Sequence, residues 1–261
     1  MLFRSINLEF FSYYAALICS VVGARYSMGY GGFLEFRYRL LDGQVSYERG
    51  GHISEKMLEF AVALGGEGDD GHLERPVPGP AASARMDALL RGLPPPTRPL
   101  VAVYLCSGDK ASKRKWLPER YGEVVRWLLE KKGATVFLIG GRSDRVETQG
   151  FTRSLGSPPR CIDLAGRVSL EELAVLLERC DLVLGNDGGP PHLAAALGTR
   201  TVTLFGPESP EKYGPPKEGG HHVVYSGLMC SPCLNIYTHK DSRCRDGRCM
   251  QIGRASCRER V

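Results

Sequence analysis

Long apolar runs are scarce in this 261-residue chain: the longest, residues 13–24 (YYAALICSVVGA), falls well short of the roughly 20 residues that a membrane-spanning helix needs. It predicts a buried helix rather than a span. A secretory leader is also lacking, since Arg4 is followed by Glu9 and no small-residue cleavage pattern closes the apolar stretch. The cytoplasm is therefore the expected compartment. Charge of one sign is not concentrated: 34 basic and 29 acidic residues leave a dispersed net charge of +5, which supplies no basic stripe for nucleic acid. An anionic small ligand stays open. No repeat of 20–50 residues and no GxxxxGK[ST] phosphate loop occurs, and the Gly140-Gly141 turn lacks GxGxxG spacing, so a P-loop or dehydrogenase reading is weak. Nine cysteines in a chain this long make a poor disulfide framework, because four of them crowd between Cys230 and Cys249.

What is present is an alternation. A proline-rich spacer, residues 92–99 (GLPPPTRP), sets a boundary near residue 97. After it, apolar runs at residues 100–106, 134–139, 161–164, 181–184 and 201–205 alternate with helical patterns near residues 118–131, 144–155, 170–178 and 191–197. Strands alternating with helices specify a parallel sheet covered on both faces, an α/β Rossmann-like domain whose ligands gather at the carboxyl ends of the strands. Residues 1–97 read as a partial α/β domain with its linker, holding one apolar helix, a Gly and aromatic patch at 29–38 and a second helix near 53–64. The nucleotide-binding type of domain is expected over residues 98–251. Residues 252–261 (IGRASCRERV) lack apolar periodicity and resemble the translation of a sequencing adapter, so they are set aside as a non-native tail.

Four stretches carry chemistry. In DLVLGNDGGPPHLAAALGTRTVTLFGP (residues 181–207) a strand ends in Asn186-Asp187-Gly188-Gly189 and a helix opens at Pro190 or Pro191, where proline suits the first turn. Unpaired N–H groups at such a helix start make an anion site, and the glycines admit a diphosphate to the backbone. Asp187 would accept hydrogen bonds from loop amides or a sugar hydroxyl, and His192 would donate to a phosphate; a helix cap and a structural histidine are the plainer alternatives. The loop after the first strand, CSGDKASKRKWLPERY (residues 106–121), gathers Lys110, Lys113, Arg114 and Lys115 where a phosphate leaving group could be neutralised, unless it is simply a solvated basic loop. Gly140-Gly141 with Asp144 and Glu147 forms a turn of nucleotide-loop type. Cys230, Cys233, Cys244 and Cys249, spaced C-x2-C-x10-C-x4-C, suit a structural tetrahedral zinc, with reduced thiols or disulfides as the alternatives.

Taken in order, the RKW loop (Arg114-Lys115-Trp116), LIGG (138–141), LAGRVSLEEL (164–173), NDGGPPHLAAALGT (186–199), FGPESPEKYGP (205–215) and CSPC (230–233) resemble the heptosyltransferase family. The resemblance implies a GT-B fold, one complete Rossmann-like domain plus a partial amino-terminal one. It also implies inverting, metal-independent transfer of heptose from ADP-heptose to a lipid-linked lipopolysaccharide core acceptor. No cofactor is then required for catalysis, and the enzyme would work at the inner face of the inner membrane, with peripheral contact and no transmembrane segment. The resemblance assigns donor binding to Ser107, Lys113, Arg114, Gly140, Gly166, Arg167, Val168, Asp187, Gly188, Gly189 and His192, with the adenine near 166–168 and the ribose near Asp144 or Glu147. Family members commonly carry Ser or Thr where this chain has Gly188, and often Met where it has Pro191. In the amino-terminal part, residues 6–30 and His52 match the middle and end of the acceptor domain. Its first strands, with the general base, have no counterpart here; Glu9 belongs to a different motif. The resemblance therefore implies a truncated chain without transfer activity, or one that only binds an ADP-sugar. A GT-B transferase using another nucleotide sugar is the remaining alternative.

Overall fold

The computed structural model describes residues 4–7, 18, 21, 25–31, 41–46, 51–67, 74–107, 112–234, 242 and 244–253. The chain divides into two compact units. One comprises Met1–His72, Glu211–Gly214 and Leu234–Ser242; the other comprises Leu73–Pro210, Pro215–Cys233 and Arg243–Val261.

In the first unit, β1 (Arg4–Asn7), β2 (Tyr26–Gly31) and β3 (Gly43–Ser46) form a parallel sheet in that order, with Met28 opposite Gly43. Its core joins Met28, Tyr30 and Val45 to Phe60 of helix α1 (Ile53–Ala63), with the Tyr30 and Phe60 rings meeting edge to face at 4.7 Å. Burial pushes the Tyr30 hydroxyl up to about 12, and the Glu59 charge adds to the shift. His52 caps α1. Its Nε2–H donates to the Gly214 carbonyl at 2.9 Å, leaving Nδ1 to accept from Ser54 N at 3.3 Å, while Glu55 accepts from His52 N. The sequence reading missed all three strands, which are short and rich in Gly and polar residues. Of the apolar run at 13–24, only Ile18 and Val21 are described. Both are helical, yet they stand 57% and 71% exposed, so the buried face expected there is not seen at these two positions. Glu9, residues 32–38 and Lys110 lie outside the described residues.

The second unit carries helix α2 (Pro80–Arg91), then β4 (Leu100–Tyr104), α3 (Pro118–Lys131), β5 (Thr135–Leu138), α4 (Arg145–Ser154), β6 (Cys161–Asp163), α5 (Leu170–Arg179), β7 (Leu182–Asn186), α6 (Gly189–Ala196), β8 (Thr201–Phe205) and β9 (His221–Tyr225). All six strands are parallel in the order β6-β5-β4-β7-β8-β9. The chain winds outward one way from β4 through β5 to β6, then returns to the other side of β4 with β7, so the switch in direction falls between β4 and β7. β4 and β5 are buried along almost their whole lengths, as strands covered on both faces should be. Helix α3 seals one face by burying Tyr121, Val125, Leu128 and Leu129, a single stripe at helical spacing in which each large side chain contributes about 1.5–3 kcal/mol. Ile252, the first residue assigned to the non-native tail, is buried, and its carbonyl accepts from Trp116 Nε1 at 3.0 Å; residues 254–261 lie outside the described residues.

The expected strands and helices appear within a few residues of their predicted limits. Neither the edge strand β9, which opens on two histidines, nor α2, which buries Ala82 and Met86, was anticipated. Helix α2 packs on α5 through Arg85–Glu172 (2.6 Å) and Arg179–Asp87 (2.6 Å). Glu172 also closes a capping box with Ser169, accepting from Ser169 N at 2.7 Å while Ser169 Oγ accepts from Glu172 N. The Ser169 amide foremost, and then Arg85, hold the Glu172 carboxyl below its ordinary range. A depressed carboxyl stabilises the fold above its unfolded pKa, near 4.3, and that share is lost as pH falls through the folded value. Glu172→Gln keeps the capping-box bond but loses the charge, and is thus expected to lower stability at pH 7 by about 0.5 kcal/mol, with the gap to the parent closing at pH 2, as read from urea midpoints at the two pH values.

Candidate functional site

The carboxyl ends of β4 and β7 meet at the switch point, and the side chains there are fixed by one buried amide. Asn186 is fully buried. Its Nδ2 donates to the carbonyls of Leu105 (2.9 Å) and Cys106 (3.1 Å), while Oδ1 accepts from Trp116 N (3.0 Å) and from the Tyr121 hydroxyl (3.1 Å). The end of β7 thereby holds both borders of the basic loop. Gly185 is required beside it, since a Cβ would come within 2.9 Å of Tyr104 Cβ and 3.0 Å of the Tyr104 carbonyl.

Asp187 follows, buried, with its amide donating to Leu204 O. Its Oδ2 accepts from Arg114 Nη1 at 3.2 Å and its Oδ1 from His192 Nε2 at 3.2 Å. The same guanidinium donates through Nη2 to Glu208 at 2.6 Å, a carboxylate only 1% exposed. Arg114 therefore sits between two buried carboxylates. Its Nε is buried and has no hydrogen-bond partner among the described residues, one donor still to be satisfied. The motifs bring Arg114, Asp187 and His192 to one site, whereas Glu208, within FGPESP, is not predicted to join them. Glu208 is 94 positions from Arg114, and no local pattern announces the pairing.

The helix start departs from expectation. α6 opens at Gly189, one residue earlier than read, and Gly188 caps it without a side-chain bond. Pro190 and Pro191 have no N–H, and the His192 amide already reaches Gly188 O at 3.5 Å. The array of unpaired amides expected at this helix start is accordingly reduced to the glycine turn, which leaves side chains to supply most donors for an anion.

Around this group, the other residues fall into two loops. Gly141 N donates to Asp144 at 2.8 Å, so that carboxylate is committed to its own turn, and a Cβ on Gly140 would strike Asp144 at 2.9 Å. Glu147 is more accessible and pairs with Lys115 at 2.6 Å. Partial burial draws the Lys115 ammonium down, but the hydrogen bond and charge of Glu147 outweigh it and leave the group raised. Gly166 has φ +66°, its N–H donates to Gly140 O at 3.0 Å, and a Cβ there would meet Arg142 Cα at 2.9 Å; the two loops are thus stitched through their backbones. Arg167 is exposed, Val168 packs against the core, Ser107 is half-buried and Lys113 exposed. Burial, with Asp144 close by, drives the Cys106 thiol far up, so it is no nucleophile.

The four carboxyl-terminal cysteines are free thiols, and Cys233, Cys244 and Cys230 lie close enough to Cys249 to add to the burial that pushes its thiol up to about 11. Cys230 and Cys244 are exposed, Cys249 is buried, and the Cys244 thiol donates to Asp246 at 3.2 Å. Among the described residues no group of three or more His, Cys, Asp or Glu side chains is placed to hold a metal ion.

The strand order, with a site at its switch point, defines a doubly wound Rossmann-like domain of the GT-B type. The profile of glycosyltransferase family 9 (heptosyltransferase) matches residues 11–242, and the chain belongs to that family. Lipopolysaccharide heptosyltransferase 2 of Salmonella typhimurium is 33% identical over 130 residues, 49% of this chain and 36% of that protein. Lipopolysaccharide heptosyltransferase 2 of Escherichia coli is 30% identical over 130 residues, again 36% of its length. These matches span about a third of the curated relatives. Among solved structures, E. coli ADP-heptose lps heptosyltransferase II superposes with a TM-score of 0.66 at 24% identity, over 85% of this chain and 68% of that one. The family 9 glycosyl transferase of Veillonella parvula gives 0.68 at 22%, over 85% and 62%.

Replacing Arg114 by Ala leaves Asp187 and Glu208 buried without their shared counter-charge. The expected loss is about 3–5 kcal/mol of stability in urea unfolding, with Arg114→Lys recovering only part because one ammonium cannot fork to both carboxylates. A loss below about 1 kcal/mol would show that the trio is not electrostatically coupled.

Proposed function

We propose that the chain carries the donor half of a heptosyltransferase, binding ADP-heptose for inverting, metal-independent transfer to a lipid-linked lipopolysaccharide core acceptor. The observation that carries this reading is the meeting of Arg114, Asp187 and His192 at the switch point of a sheet in a family 9 chain. In such a transfer an acceptor hydroxyl attacks the anomeric carbon while ADP departs, and the growing negative charge falls on the diphosphate. The partly exposed Arg114 guanidinium, held between Asp187 and Glu208, would set its positive charge beside that anion, and the turn at Gly188 and Gly189 would let the diphosphate approach the backbone. Asp187 does not face the anion alone. Its charge is answered by Arg114, and its Oδ1 holds His192, a half-exposed ring on the first turn of α6.

Ser107 and Lys113 would border the same anion. Gly140, Gly166, Arg167 and Val168 would flank the base, and Glu147, more accessible than Asp144, suits the ribose. The sugar and acceptor are those of the lipopolysaccharide heptosyltransferases the chain resembles, and solved neighbours include E. coli heptosyltransferase WaaC with ADP, at 19% identity and a TM-score of 0.62. No helix among the described residues is long and apolar enough to cross a membrane. We place the enzyme in the cytoplasm, reaching its acceptor at the inner face of the inner membrane by peripheral contact.

Calorimetric titration of the chain with ADP, UDP and GDP tests the reading. ADP is expected to bind in preference to the others and to weaken by about tenfold or more in Asp187→Asn and Arg114→Gln, the loss of one charge-assisted contact. A preference for another base would keep the fold and change the donor. Absence of nucleotide binding by the folded chain would remove the donor-site assignment.

A further inference from the structure

A cavity of about 320 Å³ lies between α4 and the carboxyl end of β6, outside the Arg114 group. Arg145, Gln149 and Arg153 border it from α4 at positions i, i+4 and i+8, one face of the helix, and Arg167 borders it from the loop after β6. The one carboxylate in the lining, Asp163, accepts from Thr148 Oγ1 and from Ala165 N, each at 3.0 Å, while Arg167 reaches the Asp163 backbone carbonyl rather than its carboxylate. None of the three guanidiniums makes an ion pair among the described residues. Three cations thus face one anion around a single concavity. That excess is unfavourable by mutual repulsion until an anion fills it. The start of α4 adds to it, because Asp144 gives its carboxylate to Gly141 N and caps no amide of the helix.

We propose that this cavity is a second anion site, one that takes a phosphate group. Planar guanidiniums fork onto phosphate oxygens, three of them surround more of such an anion than a single carboxylate could use, and the Gln149 amide adds neutral donors. The size suits a phosphate together with part of the molecule that bears it. Arg167 is shared with the proposed base pocket, whereas Arg145 and Arg153 have no place in the donor assignment, so their protection is read independently of it.

Arginine footprinting with phenylglyoxal, mapped by mass spectrometry on the intact chain, tests the site residue by residue. Inorganic phosphate at ten times its dissociation constant, against chloride of equal ionic strength, is expected to slow modification of Arg145, Arg153 and Arg167 about tenfold and leave exposed Arg91 unchanged. In Arg153→Gln the protection of Arg145 and Arg167 should fall away. Vesicles of phosphatidylglycerol, compared with phosphatidylcholine, identify the source: protection by inorganic phosphate marks a soluble phosphorylated ligand, and protection by phosphatidylglycerol alone marks a headgroup. Reaction of all three arginines at the Arg91 rate with both probes, or protection that persists in Arg153→Gln, overturns the proposal. ADP protection of Arg114, read in the same maps, reports on the donor site separately.

Discussion

A buried primary amide must find partners for two donors and an acceptor, and Asn186 finds them in segments that are far apart in sequence. By bonding Leu105 and Cys106 on one side and Trp116 and Tyr121 on the other, it fixes the end of β7 to both borders of the basic loop and to the first turn of α3. No water competes for these bonds in a fully buried setting, so each counts for more than it would at the surface. Everything at the switch point inherits its position from this join. Asp187 is the next residue, Arg114 lies two positions before Trp116, and α6 begins two positions after Asp187.

The electrostatic design that follows is built from side chains more than from backbone. A helix start flanked by glycines commonly offers several amides to an anion. Here two consecutive prolines withdraw their amides, and the site compensates with a guanidinium locked between Asp187 and Glu208. Such a clamp is preorganised, since Arg114 cannot swing away without stranding two buried carboxylates. Orientation gained in this way is what a leaving diphosphate requires, because the charge to be stabilised appears only as the bond breaks.

The sheet of the second unit was readable because strands buried on both faces appear as near-continuous apolar runs, as in VAVYLC and LVLGN. The edge strand β9 carries His221, His222 and an exposed Val223, so it sends no such signal. α2 escaped notice for a different reason: its core-facing stripe of Ala82, Met86, Leu89 and Leu90 follows a Gly- and Pro-rich stretch that reads as linker, and ion pairs to α5 flank that stripe. In the first unit, Gly and polar residues fill the short strands, which are held by pairing and by the small Met28–Phe60 core. At the site, motifs supplied the local residues Arg114, Asp187 and His192. Glu208 was invisible as a partner because its role exists only where two distant loops meet.

Asn186 is the join between β7 and the basic loop. Hydrogen–deuterium exchange at the Trp116 amide, followed together with urea unfolding in Asn186→Leu, tests that claim directly. Trp116 is expected to lose its protection, the residues from 112 to 116 to exchange faster while β5 and α5 do not, and stability to fall by about 3 kcal/mol as several buried polar groups lose their partner. Unchanged protection at Trp116 with a loss of under about 1 kcal/mol would contradict it, and would place the origin of the site's geometry elsewhere.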